Sequence, residues 1–202
     1  MLIEEYTEAD LKTSYNVHDH LKELTVPELK ALNDTDRLPY GVMTFNVSGD
    51  LNCGIIIRTA ILMGAERVIV YGKRKYNKLS CVGSNNYIDI NRVGGYDADK
   101  KEYDFAPFWN ALVKYNYCPV FIEDTPTAYI LTSDTDIINT VFNRTGMKPC
   151  LVFGSESDGI PFELLQQSRF VYKIPQLGVI RNLNVSAAAS IAMWSIMSGY
   201  KR

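Results

Sequence analysis

The stretch IPQLGVIRNLNVSAAAS, residues 174–190, runs from the end of an apolar segment into a run of small residues. The apolar segment is short, which favours a buried strand, and Pro175 ends it. Asn182 or Asn184 can cap a helix over residues 185–198. Small side chains would let a neighbouring backbone approach this helix closely. The stretch therefore predicts a strand, a loop and a tightly packed C-terminal helix.

The same alternation of short apolar runs and helical runs extends back to residue 41. The apolar runs predict strands at residues 41–47, 67–71, 119–122, 150–153 and 170–174. The helical runs predict helices at residues 50–64, 105–115, 134–143 and 161–167. This alternation predicts an α/β fold with a mostly parallel sheet and helices on both faces. Since ligands bind beyond the carboxyl ends of the strands in such sheets, we expect functional side chains there.

The N-terminal part of the chain differs from the rest. Residues 1–40 are polar and are predicted to be an extension, while residues 41–202 form the α/β domain. Two weakly amphipathic pieces lie in the extension, at residues 7–15 and 26–32. A helical arm packed on the domain and a tether both fit this pattern.

The composition excludes several classes of protein. The chain has 202 residues, 47% of them hydrophobic, and a formal net charge of −2. These values are typical of a globular protein and not of a disordered one. A near-neutral charge excludes a uniformly basic nucleic-acid binder but permits a local basic patch. No apolar run approaches the ~20 residues of a membrane span, and the acidic N-terminus does not resemble a signal peptide.

The cysteines and histidines do not form a metal-binding pattern. The four cysteines are widely spaced, without a CxxC pair: Cys53, Cys81, Cys118 and Cys150. Both histidines, His18 and His20, lie in the extension, so neither a zinc site nor histidine acid–base catalysis is expected. We expect no metal, and we expect reduced, buried cysteines in a cytoplasmic protein.

Two earlier segments carry polar residues in apolar surroundings. Residues 52–60, NCGIIIRTA, place Asn52 and Arg58 in an apolar helix, where an arginine needs an anionic partner, a cleft or a path to solvent. Residues 151–161, LVFGSESDGIP, lead a strand into a turn that contains Glu156. Its first glycine, Gly154, permits close approach of a ligand, and Gly159 permits a positive φ. An ordinary strand-to-helix turn is the alternative for this second segment.

The order and spacing of these segments resemble a known family. The patterns N-x-G-x-x-x-R-T-A, L-V-F-G-x-E-x-x-G-I-P and I-P-x-x-G-x-x-x-x-L-N-V-S-x-A resemble the three signature motifs of the SpoU/TrmH family of RNA 2′-O-ribose methyltransferases. The C-terminal run is most similar to the eukaryotic tRNA guanosine-2′-O-methyltransferase branch. The resemblance covers residues 41–200. A small-molecule enzyme on a doubly wound sheet would require all three motif matches to be coincidental.

The resemblance implies a fold, a cofactor and partners. It implies an α/β domain with a C-terminal deep trefoil knot, a homodimer, and an RNA substrate without metal or membrane involvement. The expected substrate is guanosine in tRNA, with ribosomal RNA as the alternative. The cofactor is S-adenosyl-methionine, held mainly by backbone groups. The residues expected at this cofactor are Thr125, Gly154, Ile174, Leu183 and Asn184.

The resemblance also assigns catalytic roles. Arg58 matches the family's catalytic arginine, and we expect it to orient a phosphate and to stabilise developing alkoxide charge. Glu156 would be its ionic partner, within the chain or across the dimer, while Asn52 and Asn184 fix loops and target by hydrogen bonds. Where the family has a serine, this chain has Asn182, which can form hydrogen bonds but lacks the hydroxyl. A catalytically impaired relative that binds RNA or the methyl donor is therefore the alternative function.

A basic cluster follows one predicted strand. The run KRKYNK, residues 73–78, lies just beyond the strand at residues 67–71, at the carboxyl end of the sheet. Clustered cations at this place would hold RNA phosphates, and a solvated loop is the alternative. The predicted RNA-binding residues are Lys73, Arg74, Lys75 and Lys78.

Overall fold

The computed structural model describes residues 17–45, 50–72, 78–180 and 183–200. The strands in these ranges are β1 (Leu38–Phe45), β2 (Ala65–Tyr71), β3 (Asp89–Val93), β4 (Tyr96–Asp97), β5 (Glu102–Tyr103), β6 (Tyr117–Ile122), β7 (Tyr129–Ile130), β8 (Lys148–Phe153) and β9 (Val171–Lys173). The helices are α1 (Val26–Thr35), α2 (Asp50–Leu62), α3 (Ala106–Lys114), α4 (Ile137–Thr145), α5 (Phe162–Gln166) and α6 (Val185–Gly199). Within these ranges, none of the helices combines the length and the apolar character that crossing a membrane requires.

Seven strands form one parallel sheet. Their order across the sheet is β3-β2-β1-β8-β6-β9-β7, and each neighbouring pair is parallel. The strands β4 and β5 form a separate antiparallel hairpin. The central strands β1 and β8 are buried along almost their whole length, as expected for strands covered on both faces. The predicted parallel sheet is confirmed.

Helices cover both faces of the sheet. Along β1, Tyr40 and Val42 pack into one core with buried residues of α2, α4 and α6. Met43 and Phe45 pack into the second core with buried residues of α3 and α5. This division follows from the strand geometry, in which successive side chains point to opposite faces. The predicted α/β layering is therefore confirmed.

The C-terminal helix α6 packs closely on α2. Asn184 caps α6, because its Oδ1 accepts from the backbone N of Ser186 at 2.9 Å and of Ala187 at 3.3 Å. The hydroxyls of Thr59 on α2 and Ser190 on α6 lie 3.4 Å apart. The predicted capped and closely packed helix is confirmed, with Asn184 as the cap.

Several element bounds differ from the prediction. The first strand begins at Leu38, because Leu38 N donates to Gly64 O at 2.8 Å and both Leu38 and Tyr40 are buried. The edge strands β3 and β7 were not predicted, since their residues are half-buried or exposed and carry a weak apolar pattern. Helix α2 begins at Asp50, so Asn52 lies inside its first turn.

Part of the extension is a helix held on the domain. Helix α1 buries none of its residues. Its contacts to the domain are polar: Asn33 Nδ2 donates to Tyr87 O at 3.3 Å, and Lys30 lies 2.8 Å from Asp89. For residues 26–32 the structure therefore supports a packed helical arm. The other predicted piece, residues 7–15, lies outside the described residues.

Candidate active site

Three side chains from distant parts of the chain meet at the carboxyl end of the sheet. Asn52 Nδ2 donates to Glu156 Oε1. Asn184 Nδ2 lies 3.3 Å from Asn52 Oδ1 and 3.5 Å from Glu156 Oε1. One residue from each of the three sequence motifs is thus present in a single hydrogen-bonded group, which we call the motif triad.

The sheet topology brings the motif triad together. Strands β1 and β8 are neighbours, with Thr44 paired to Phe153 near their carboxyl ends. Asn52 lies in the first turn of the helix after β1, and Glu156 lies in the loop after β8. Asn184 uses Oδ1 to cap α6 and Nδ2 to reach the other two side chains.

The loop at residues 154–160 displays Glu156. Ser155 N donates to Gly159 O at 3.0 Å, and Gly159 N donates to Ser155 O at 3.1 Å, which closes a tight turn. Gly159 has the predicted positive φ, 65°. A Cβ on Gly154 would lie 2.1 Å from the carbonyl carbon of Gly159, so any side chain there would prevent this closure. Gly154 is thus required by the loop itself.

A cavity of about 930 Å³ lies beside the motif triad. Its size lies within the range of small-molecule and cofactor sites, roughly 300–1,000 Å³. Thr125 is not among the residues that line the cavity, although both of its neighbours, Asp124 and Pro126, line it. The other four predicted cofactor residues do line it: Gly154, Ile174, Leu183 and Asn184.

The chemistry of the cavity fits S-adenosyl-methionine, which combines an apolar ring, polar edges and a positive sulfonium. Among the described residues, Thr125 Oγ1 is buried without a hydrogen-bond partner, next to the cavity wall. A ligand hydroxyl or ring nitrogen could satisfy it. Ile122 and Phe153 supply apolar lining, and among the described lining residues carboxylates outnumber lysines, of which there is one, Lys173, so this lining suits a cation. Lys173 lies 3.6 Å from Asp124.

Arg58 is placed differently from the prediction. Its side chain is exposed, and within the described residues it makes no ion pair. The predicted pairing with Glu156 inside one chain is therefore wrong. Arg58 follows Asn52 by six residues, about one and two-thirds helical turns, so the two side chains leave α2 in different directions. Arg58 lies in an exposed stripe of α2 that also contains Leu51, Ile55 and Leu62.

Several predicted residues lie outside the described parts of the chain. Asn182 is one of them, and so are three residues of the basic cluster: Lys73, Arg74 and Lys75. The fourth basic residue, Lys78, is exposed and begins a short 3₁₀ turn that ends at Cys81. The RNA-binding cluster stays a prediction. All four cysteines are buried, as predicted.

Two contacts near the site were not predicted from the sequence. Glu123, directly after β6, accepts a hydrogen bond from Ile160 N through Oε2 at 3.0 Å. Its signal was a carboxylate that follows an apolar strand. The hairpin β4–β5 brings Tyr103 close to the loop at residues 154–160, where burial, followed by the charge of Asp158, raises the pKa of the Tyr103 phenol. In the described ranges, no group of three or more His, Cys, Asp or Glu side chains is arranged to hold a metal ion.

The chain is similar in sequence to known RNA methyltransferases. A family model for the SpoU rRNA Methylase family matches residues 39–194. A putative TrmH family tRNA/rRNA methyltransferase of Bacillus subtilis is 22% identical over 173 residues, which cover 83% of this chain and 61% of that protein. The chain thus spans less than two thirds of this relative's length. The tRNA (guanosine(18)-2′-O)-methyltransferase of Mus musculus is 43% identical over 47 residues, 23% of this chain and 3% of that protein.

Solved structures show the same architecture. The A. aeolicus TrmH/SpoU tRNA modifying enzyme superposes with a TM-score of 0.67 at 20% identity, covering 86% of this chain and 81% of that one. The SpoU methyltransferase AviRb from Streptomyces viridochromogenes, solved with the cofactor AdoMet, gives a TM-score of 0.59 at 21% identity, covering 80% of this chain and 60% of that one. At these identities the similarity shows a shared fold.

Proposed function

We propose, because this chain belongs to the SpoU rRNA methylase family, that it transfers a methyl group from S-adenosyl-methionine to a ribose 2′-hydroxyl of RNA. The observation that carries this proposal is the motif triad. It joins residues from all three motifs beside a cavity of about 930 Å³ at the carboxyl end of the sheet. A site at this edge is where a parallel α/β sheet binds its ligands.

The cavity holds the cofactor mainly through backbone groups. Gly154, Ile174 and Leu183 line the cavity, and we assign their backbone groups and the buried Thr125 hydroxyl to polar edges of the ligand. The AdoMet complex of AviRb supports this choice of cofactor. When bound, the cofactor supplies a methyl group already activated on a sulfonium.

The protein's own task is to orient the target ribose. Arg58 presents a guanidinium, which stabilises negative charge on the 2′-oxygen and orients a neighbouring phosphate. Asn52 and Asn184 hold Glu156 through Oε1. In our proposal the Glu156 carboxylate forms an ion pair with Arg58 of a second subunit. Asn182 binds the target nucleotide by hydrogen bonding.

A homodimer is part of the proposal. The exposed stripe of α2, with Leu51 and Ile55, contains Arg58, and the neighbouring helix α6 exposes Ile191 and Trp194. A second copy that covered these apolar side chains would also cover Arg58. Light scattering is expected to give twice the chain mass, and a monomer would contradict the dimer.

The remaining assignments rest on the resemblance. They comprise a trefoil knot, an extension at residues 1–40 before a domain at residues 41–202, a cytoplasmic location and RNA binding by the basic cluster at residues 73–78. We assign the substrate to guanosine in tRNA, supported by the short 43% identical match to the mouse enzyme. Ribosomal RNA is the alternative, since the Bacillus subtilis relative is named for both RNAs.

A second candidate function follows from Asn182. A chain without the family's serine could bind RNA or the methyl donor without transferring the methyl group. The Asn182→Ser variant separates these two functions. If it gains activity while the wild-type protein has none, the chain is a binding protein.

Methyl transfer to RNA is the direct test of the proposed function. We expect calorimetry to show that the protein binds S-adenosyl-methionine. We also expect the protein to transfer a tritiated methyl group to bulk tRNA. Mapping of 2′-O-methyl sites should then locate the modification at a guanosine. Transfer only to ribosomal RNA would replace the assigned substrate. Absence of donor binding at millimolar concentration would overturn the enzyme assignment.

A further inference from the structure

Glu123 lies where the end of β6 meets the loop that carries the site. Its backbone N donates to Tyr172 O at 3.0 Å, which fixes it against β9. Its side chain is half-buried and lines the cavity. No sequence motif includes Glu123, and the proposed reaction gives it no role.

Within the described parts of the chain, both hydrogen bonds to the Glu123 carboxylate come from backbone N–H groups. Oε2 accepts from Ile160 N at 3.0 Å, and Oε1 accepts from Asp124 N at 3.2 Å. Among the described residues no cation pairs with it, since Lys173 lies instead against Asp124. A half-buried carboxylate that is satisfied by backbone N–H groups acts as a fixed acceptor, and hydrogen bonds to a charged acceptor are among the stronger ones.

The same carboxylate packs against the turn that closes the loop. A Cβ built on Gly159 would lie 2.9 Å from Glu123 Oε2, so glycine at this position leaves room for the carboxylate. The bonded amide belongs to Ile160, whose side chain is buried in the core. Glu123 therefore fixes one end of the loop that presents Gly154 to the cavity and Glu156 to the motif triad.

We propose that Glu123 is a positioning residue, which holds the loop at residues 154–160 in the shape needed to bind the methyl donor. This inference rests on the proposed function for its binding consequence. It acts by accepting hydrogen bonds at a defined reach and not through a charge–charge contact with the ligand. Ligand binding should therefore survive a substitution of Glu123 that removes the charge but not one that shortens the side chain.

Four variants separate reach from charge. Glu123→Gln keeps the length and one acceptor oxygen, while Glu123→Asp keeps the charge but is one methylene shorter. Glu123→Ala removes both, and Glu102→Ala removes an exposed carboxylate from the hairpin as a control. The readouts are the dissociation constant of S-adenosyl-homocysteine by calorimetry and the hydrogen exchange of the Ile160 amide.

We expect Glu123→Ala and Glu123→Asp to lose the protection of the Ile160 amide. We expect both to weaken S-adenosyl-homocysteine binding roughly tenfold to a hundredfold, the equivalent of a lost hydrogen bond to a charged acceptor. Glu123→Gln should stay within about threefold of the wild type, a fraction of one such bond. Glu102→Ala should match the wild type in both readouts.

Other outcomes would overturn the proposal. If Glu123→Asp binds like the wild type and Glu123→Gln does not, the carboxylate acts through its charge on the ligand. If Ile160 exchange is the same in all four variants, Glu123 does not fix the loop. Absence of ligand binding by the wild type would contradict the proposed function, while the exchange data would still decide whether Glu123 holds the loop.

Discussion

The two ends of the parallel sheet both carry charged side chains, but they use them differently. At the amino end, Lys148 lies 2.6 Å from Glu66, and Arg67 lies 3.1 Å from Asp89. The Arg67 guanidinium also stacks over the Tyr115 ring at 4.1 Å. These charges satisfy one another, and together they join the starts of β2, β3 and β8.

At the carboxyl end, charge is left available. Glu156 is held by two side-chain amides and makes no ion pair within the described residues, and Arg58, further along the helix that starts at this end, is exposed and also makes none there. The closest cation–carboxylate contact described at the cavity, between Lys173 and Asp124, is longer, at 3.6 Å. The comparison teaches that the amino end uses charge to hold the fold, whereas the carboxyl end keeps charge for a ligand.

Replacement of Arg58 should give the largest effect and the sharpest test of this contrast. We expect Arg58→Ala to lower the rate of methyl transfer roughly a hundredfold or more, as for loss of a group that stabilises developing charge. The free energy of unfolding of the dissociated single chain should change by less than about 0.5 kcal/mol, because within one chain the side chain is exposed and makes no ion pair among the described residues. Single-turnover transfer and denaturant unfolding measure the two effects. A large loss of stability with full activity would mean that Arg58 holds the fold and does not serve the reaction.

The matched change at the amino end is Arg67→Ala. It removes a hydrogen bond to Asn91 Oδ1 of 2.6 Å, the contact to Asp89 and the stacking on Tyr115. We expect a loss of about 1–2 kcal/mol in the free energy of unfolding, with an unchanged transfer rate per folded molecule. Arg67→Lys should recover only part of this, since lysine lacks the planar fork. A loss of activity at full stability would contradict the structural role.

The sequence predicted the carboxyl end better than the amino end. The motifs name Asn52, Glu156 and Asn184, and the strand pattern already places the residues after each strand at one edge. The amino-end pairs escaped prediction because Glu66 and Asp89 are ordinary polar residues, whose partners depend on the lateral order of the strands. That order is a long-range property, which local periodicity does not contain.

The same limit explains the errors near the site. The bond between Glu123 and Ile160 was not predicted, because it depends on how β6 lies against a loop 37 residues later in the chain. Arg58 was paired with Glu156 because both belong to motifs, although their directions within one chain differ. Local chemistry thus identified the residues of the site but not their contacts.

Two variants of Asn184 test whether its two roles at the carboxyl end can be separated. Asn184→Ser keeps a side-chain oxygen for the cap of α6 but loses the Nδ2 donor to Asn52 and Glu156. Asn184→Ala loses both. We expect Asn184→Ser to be more stable than Asn184→Ala by about 1 kcal/mol, the usual value of a helix cap. Both should transfer methyl groups equally slowly. Normal activity of Asn184→Ser would show that the motif triad does not need its amide.

The smallest expected effect is a pH dependence of stability that comes from Asp89 at the amino end. The hydrogen bond from Lys30 lowers the pKa of Asp89 against the opposing effect of burial, and the charges of Lys30, Arg67 and Arg37 lower it further. Asp89 in the unfolded chain therefore takes up its proton first as the pH falls. Its contribution to stability is present above the ordinary carboxyl pKa of about 4 and is lost as the pH falls through the folded pKa.

The midpoint of denaturant unfolding should thus decline less steeply below about pH 4 in Asp89→Asn than in the wild type. Lys30→Ala, which removes the main cause of the shift, should show an intermediate slope. Equal slopes in all three proteins would mean that the amino-end charges do not contribute to folding as their geometry indicates.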